Sequence, residues 1–460
     1  MDAGVAAGHP ATTAAGVQVL ADGGSAADAA VAAALASCVA ETVMTGLLGG
    51  AHAIYFDAAT GRARNLDCFV AVPGLGGERR DAQLVELEVP FGSELVHYAI
   101  GPASFAVPGL PAGLVALWEA HGRLSWPRLV EPALGLAESG VDFPPAHAAC
   151  LAMLAPVMTM NEGAAIYSPG GRLLEAGARL EQPGLAAALG ALADDPASVY
   201  RGAIGEQLLE LCRERGGLVT QADLEAYEAG WSEPVRVPYL QVQLLTRSGL
   251  SGVPETIPRL PRLAELSETD RVLALVDVLE AASSGGGDTT NVSVVDADGN
   301  ACVITSSLGL GSGDFVPGLD LHLNSMLGEA DLLRGRLEPG ARMGSMMAPT
   351  LAVDGERPVL AAGAAGGTRL RTALLGVVAG VLDEHLSPDA AIARPRFHPA
   401  PEVVNAEPGV DETALAVLEE RGRNVRRWPA QHHYFGGVSL VSRTGAAADP
   451  RRNGSAATLP

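Results

Sequence analysis

The chain has 460 residues, 48% hydrophobic but only 4% aromatic, so its length allows two or three domains and its core is built from Ala, Leu and Val. A net charge of −22 repels phosphate backbones and anionic headgroups, which sets nucleic acid and membrane surfaces aside as partners. All 31 basic residues are arginine, which excludes Schiff-base lysine chemistry and the lysine of a phosphate-binding loop.

Thr12 to Leu20 and Ser25 to Glu41 read as two helices broken at Gly23-Gly24, with Ser25 as the N-cap of the second. The longest uncharged helical run, Ala29 to Ala40, is too short to cross a bilayer. Ala51 to Phe56 and Arg64 to Val70 read as strands around an Ala-Thr-Gly turn. Helices follow at about 112–121, 127–138, 144–157, 182–194, 203–215 and 221–227. Ser267-Glu268-Thr269-Asp270 has the form of a capping box opening a helix to about Ser283. Then the period changes. Asn291 to Val295 and Ala301 to Ser307 alternate as strands joined by Asp296-Ala297-Asp298-Gly299, a hairpin signal. Further strands are expected at 350–353, 358–362, 424–428 and 437–442, and helices at 367–384 and 411–422.

The five cysteines are scattered through apolar runs, with no CxxC pair and no histidine cluster at metal spacing, so they read as reduced core thiols. No basic segment followed by an apolar run opens the chain, so a cytoplasmic location is expected. Gly309-Leu310-Gly311-Ser312-Gly313 lacks the lysine and the βαβ context of a nucleotide loop.

The stretch Gly285-Gly286-Gly287-Asp288-Thr289-Thr290-Asn291 carries the most chemistry. It places a threonine between a flexible glycine run and a strand. A threonine hydroxyl is a poor nucleophile without a base beside it, and a cut just before the residue turns its own α-amine into that base. Such an amine titrates at roughly 7.7–8.0, close enough to working pH to take and return a proton. The glycines permit the strained turn that the cut requires.

The sequence resembles the γ-glutamyltransferase (γ-glutamyltranspeptidase) family of N-terminal-nucleophile hydrolases almost end to end. The resemblance rests on Gly23-Gly24-Ser25-Ala26-Ala27-Asp28-Ala29-Ala30, Gly46-Leu47-Leu48-Gly49-Gly50, Asp288-Thr289-Thr290 and Asp298-Gly299-Asn300. It continues through Met347-Ala348-Pro349-Thr350, Gly366-Gly367-Thr368-Arg369, Pro395-Arg396-Phe397-His398 and Asp449-Pro450-Arg451. It implies an α+β fold, the αββα sandwich of two stacked antiparallel sheets covered by helices. It also implies self-cleavage between Asp288 and Thr289 into two fragments of one interwoven unit: a helix-rich 1–288 and a 289–460 half carrying the nucleophile. Thr289 aligns with the family nucleophile, Ser307 with a second hydroxyl that orients it, and Gly366-Gly367 with the oxyanion-binding pair. A small-molecule amide is the implied substrate, with no cofactor or metal, and the fragments could assemble further as a homo-oligomer.

The substrate-recognition positions depart from the family. Phe69 stands where an arginine usually holds the glutamyl carboxylate. Asn324 and Met326 match the usual Asn-Asn-Gln/Glu-Met-Asp-Asp run, but Ser325 and Gly328 do not, and Ser345-Met346 replaces a Ser-Ser pair. Phe69, Asn324, Ser325, Ser345 and Met346 are therefore the expected substrate-binding set, around a more apolar pocket. The region Leu250 to Pro261 is shorter than in the family. Three readings follow: a γ-glutamyl amidase or transferase, a cephalosporin-acylase-like amidohydrolase taking another small carboxylated amide, and a non-catalytic relative that keeps the fold for binding.

Overall fold

The computed structural model describes residues 1–77, 83–91, 94–280 and 289–459. The glycine run and Asp288, where cleavage is expected, lie outside the described residues.

The hairpin expected around Asp296–Gly299 is the centre of the fold. Thr290–Val295 pairs antiparallel with Ala301–Ser307, with Thr290 opposite Ser306 and Val295 opposite Ala301. The turn is fixed by Asp296, whose carboxylate accepts the Asp298 and Asn300 amides at 3.0 and 2.9 Å. Its other oxygen accepts the Ala26 amide at 2.9 Å, tying the hairpin to the start of helix Ala26–Ala40. Around this hairpin a seven-stranded sheet runs in the order Ser455–Leu459, Ala3–Ala7, Thr290–Val295, Ala301–Ser307, Gly50–Asp57, Arg62–Cys68, Gly230–Ser232. Four of its strands come from before position 288 and three from after it, and Ala3–Ala7 lies between two of the latter, so neither half could complete this sheet alone.

A six-stranded sheet stacks on the first: Gly445–Ala448, Gly437–Ser442, Arg357–Ala365, Thr350–Asp354, Val242–Thr246, Val235–Tyr239. Strand periodicity decides what each face buries. Val295, Ala301, Val303, Leu351, Val353, Ala361 and Val441 meet between the sheets. Their neighbours Val292, Val294, Cys302 and Ile304 turn outward onto helices Pro10–Ala21 and Ala26–Ala40. On the far side, Ala352, Leu360, Ala362 and Leu440 pack on Glu268–Leu279, Arg369–Leu382 and Glu412–Glu420. This is the αββα sandwich.

The helices sit close to their expected bounds, and Ser25 caps as read, its side chain and Asp28 forming a reciprocal capping box. At Ser267 only half of the expected box forms: the Ser267 hydroxyl accepts the Asp270 amide, and its proton goes to the Asp270 carboxylate. The strand expected to reach Val70 ends at Cys68, and the helix expected from 367 begins at Arg369. Ala3–Ala7 was not foreseen as a strand, because all five residues are buried and no polar alternation marks it. In the short region Leu250 to Pro261 the chain makes only the turns Val253–Thr256 and Ile257–Arg259. All five cysteines are buried and free. No helix among the described residues is long and apolar enough to cross a membrane.

Candidate active site

Thr289 stands at the head of the central strand Thr290–Val295 and is buried. It lines two pockets at once, a cleft on one side and a tight chamber on the other. The cleft gathers residues that are far apart in sequence: Phe69, Thr289, Ser307, Ser345, Met346 and Gly367. Phe69, Thr289, Ser307 and Gly367 flank the ends of core elements, and Ser345 and Met346 lie in the loop before strand Thr350–Asp354. Ser307 closes the strand beside Thr290, opposite Gly50. Gly367 follows strand Arg357–Ala365 of the second sheet and precedes helix Arg369–Leu382. The site thus sits at one end of the sandwich, where both sheets stop.

Two backbone features suit this end to an anion. Gly366 has φ +122° and Gly367 φ +56°, backbone that glycine adopts without strain. A Cβ on Gly366 would lie 2.8 Å from the Gly436 Cα, so no side chain fits there. The fourteen-residue helix that follows directs the positive end of its dipole back toward the cleft. Ser307 Oγ accepts the Gly309 amide at 3.0 Å, which fixes the hydroxyl in place beside Thr289.

The acyl side of the cleft is apolar. Phe69, Met326, Leu332, Met346, Met347 and Leu370 line it. Phe69 is held by stacking on His52, with ring centroids 5.5 Å apart, and by the Tyr227 hydroxyl, which donates to its carbonyl. Ser345 contributes a hydroxyl that accepts the Met347 amide at 3.2 Å, and Arg247 donates to the carbonyls of Ser345 and Met347, bracing this wall from behind. Glu329 is the one charged side chain among the described lining residues. Sequence reasoning passed over it, because it lies one position beyond the run in which an acidic residue was sought.

Two expected substrate-binding residues are not in the lining. Asn324 is fully buried, its amide donating to the Leu48 and Ala106 carbonyls at 2.8 and 2.9 Å. Its oxygen accepts the Ala106 and Met326 amides. All its hydrogen-bonding capacity serves to join three loops. Ser325 is equally buried, and its hydroxyl accepts the Leu310 amide at 3.0 Å.

Behind Thr289, the chamber is lined by Glu41, His147, Thr290, Asn291, Asp449 and Arg452 among others. Arg452 donates to the Thr289 carbonyl at 3.3 Å. Glu41 accepts the hydroxyls of Thr290 and, at 2.7 Å, Thr12. Burial pushes the Glu41 carboxyl up to about 7, against the lowering pull of those two hydroxyls and of the Arg452 charge. Burial pushes the His147 imidazole down to about 3, so it is neutral at ordinary pH. The sequence held a weak signal for these residues: Glu41 stands in the loop leading to Gly46–Gly50, and Arg452 directly follows Asp449-Pro450-Arg451.

Comparison with known proteins agrees with this geometry. The profile of the family described as Gamma-glutamyltranspeptidase matches residues 12–269 and 262–459. The chain is 29% identical over 501 residues to the Acylase ACY 1 proenzyme of Pseudomonas sp. (strain SE83), covering 95% of this chain and 89% of that one. It is 24% identical over 541 residues to the glutathione hydrolase proenzyme of Bacillus subtilis (strain 168), covering 99% and 91%. The fold superposes on the crystal structure of cephalosporin acylase from Bacillus halodurans with a TM-score of 0.81, over 100% of this chain and 96% of that chain at 22% identity. With the family profile spanning nearly the whole chain and both sheets meeting at Thr289, the protein is an enzyme that belongs to the gamma-glutamyltranspeptidase family of N-terminal-nucleophile hydrolases.

Proposed function

We propose that the chain cuts itself before Thr289 and then uses that residue to cleave a small carboxylated amide, passing the acyl group to water or an amine. In the precursor the Thr289 hydroxyl attacks the Asp288 carbonyl. The acyl group moves from nitrogen to oxygen, and water hydrolyses the ester, leaving a free α-amine. In the mature enzyme that amine takes the hydroxyl proton as Thr289 attacks the substrate carbonyl, and returns it to the leaving amine. The backbone at Gly366 and Gly367 and the helix behind it would stabilise the oxyanion, while Ser307 orients the nucleophile. The observation that carries this reading is the convergence of Thr289, Ser307 and Gly367 on one cleft from three separate elements.

The acyl group is a further part of the proposal. Phe69 supplies no charge where a cation would hold an α-carboxylate, and no described lining residue is basic. A γ-glutamyl head brings two charges at one carbon into a largely apolar wall, and a glutaryl group only one, so the glutaryl head costs less to desolvate; the preference holds if that saving exceeds the pull of Glu329 on the γ-glutamyl ammonium. The test compares kcat/KM for a γ-glutamyl anilide and the matching glutaryl anilide, with Thr289→Ala and Thr289→Ser alongside. The reading expects glutaryl to lead, the alanine variant to be dead and the serine variant to keep part of the activity. A γ-glutamyl preference would overturn the acyl assignment, and turnover by Thr289→Ala would overturn the nucleophile.

A further inference from the structure

A terminal nucleophile has an anchoring problem. While the chain is intact, Thr289 is tied down on both sides; once it is a chain terminus, only the peptide to Thr290 holds it. Its hydroxyl and amine keep their aim only if that peptide is fixed, and misplacement by about 1 Å can cost on the order of 100-fold in rate. Beyond the strand pairing of Thr290 with Ser306, two side chains that hold this peptide lie in the chamber behind Thr289.

We propose that Glu41 is a positioning residue for the nucleophile, acting through Thr290, with Arg452 as the second jaw of the clamp. The inference rests on Thr289 being the nucleophile. Arg452 holds the carbonyl of the 289–290 peptide, and Glu41 holds the Thr290 side chain on its other side. Glu41 is itself held on both oxygens. It lies immediately after helix Ala26–Ala40, is 1% exposed, and spends its other oxygen on Thr12 of the preceding helix. The backbone around it is shaped for the contact: a Cβ on Gly8 would lie 2.2 Å from Glu41 Oε2 and 2.7 Å from Thr290 Oγ1, so only glycine admits this close approach.

A buried carboxylate needs a reason to remain in an apolar core, and two threonine hydroxyls with one nearby guanidinium are modest compensation. The groups facing it are few. Arg452 and Asp449 come from the C-terminal turn, with Asp449 already paired to Arg396 and Arg451. His147 comes from helix Pro145–Met158, and His9 lies against it with ring centroids 5.6 Å apart. The His147 ring is buried and shares the chamber lining with Glu41. Cys38, on the helix that Glu41 follows, has its thiol pushed up by burial and by Glu41. As an anion, Glu41 accepts from Thr290 and Thr12 together. Once protonated, the carboxyl loses its charge and one oxygen becomes a weaker acceptor, so its hold on the two threonine hydroxyls weakens. The clamp therefore tightens as Glu41 ionises.

The experiment uses the full chain and normalises each rate to the cleaved fraction. Glu41→Gln and Thr290→Val are compared with Thr12→Val, which removes a hydrogen bond from the same carboxylate on the side away from the nucleophile. The proposal expects Glu41→Gln and Thr290→Val to lower kcat by about 10- to 100-fold with KM within twofold, and Thr12→Val to change kcat by less than about threefold. It also expects the acidic limb of log kcat against pH in the parent to carry an extra step of about 10- to 100-fold from Glu41, and Glu41→Gln to lose that step and fall with a single slope of about 1. Equal losses in Thr290→Val and Thr12→Val, or a parental rate and pH limb in Glu41→Gln, would overturn it. If Glu41→Gln does not fold, the two threonine variants decide alone. Thr289→Ala separates the layers: turnover by that variant defeats the nucleophile assignment, whereas its inactivity beside a parental Glu41→Gln defeats only the clamp.

Discussion

Arg452 donates a hydrogen bond to the carbonyl of Thr289 across 163 positions of sequence. The bond joins the last turn of the chain, Pro450–Arg452, to the head of the central strand. It makes the C-terminus part of the nucleophile's support, and Arg452 also draws the neighbouring Glu41 carboxyl downward.

Arg452→Gln should therefore act in two ways. The Thr289 carbonyl loses its charged donor, and Glu41 loses a cation that favours its anionic form. The expected outcome is slower self-cleavage and an acidic limb of kcat displaced to higher pH. Rates measured between pH 5 and 9 on the processed fraction check this. A limb that stays in place would detach Arg452 from Glu41.

Ser307→Ala removes a hydroxyl whose direction is set by the Gly309 amide. Loss of one positioning hydrogen bond should slow turnover by about 10- to 1000-fold, on the order of 1–4 kcal/mol. An unchanged rate would make Ser307 a polar strand residue only.

Glu329 separates two acyl classes. Glu329→Gln should lower kcat/KM for a γ-glutamyl amide, whose ammonium favours a carboxylate, and raise it for a glutaryl amide, whose charge is repelled. Each change should be about tenfold, or roughly 1.4 kcal/mol. Parallel changes in both substrates would show that Glu329 shapes the wall and does not sense charge.

Glu41 makes a stability prediction whose sign is fixed. Its folded carboxyl lies at about 7, above the ordinary 4.5, because burial disfavours the charge. Below about pH 4.5 both folded and unfolded forms are protonated and the group costs nothing. As pH rises through 7 the folded form holds its proton longer than the unfolded one, and stability is lost by on the order of 3 kcal/mol. Glu41→Gln has no such titration, so its melting temperature relative to the parent should climb between pH 5 and 8. A constant difference would contradict the shift.

Much of this was legible in the sequence where local chemistry and period agree. The Asp296–Gly299 turn, the strands beside it and the Ser25 cap are local signals, and they stand within a residue or two of the expected bounds. The convergence of Phe69, Thr289, Ser307, Ser345, Met346 and Gly367 was legible only through the family resemblance, since no local pattern brings these positions together. Asn324 illustrates what motif matching misses: the residue type fits the family run, yet its amide is consumed by Leu48 and Ala106, positions that only tertiary packing supplies. Glu41 shows the converse. A lone glutamate after an alanine-rich helix looks like a solvated helix end, and burial against Thr12 and Thr290 is what changes its meaning.

The central claim is that Thr289 becomes a chain terminus and acts as one. Intact-mass analysis with N-terminal sequencing of the purified protein, beside its Thr289→Ala variant, tests it most directly. The account predicts two fragments in the parent, the smaller beginning Thr-Thr-Asn-Val, and one uncut, inactive chain in the variant. An active parent that remains full-length, or a Thr289→Ala variant that still cuts at this junction, would contradict it.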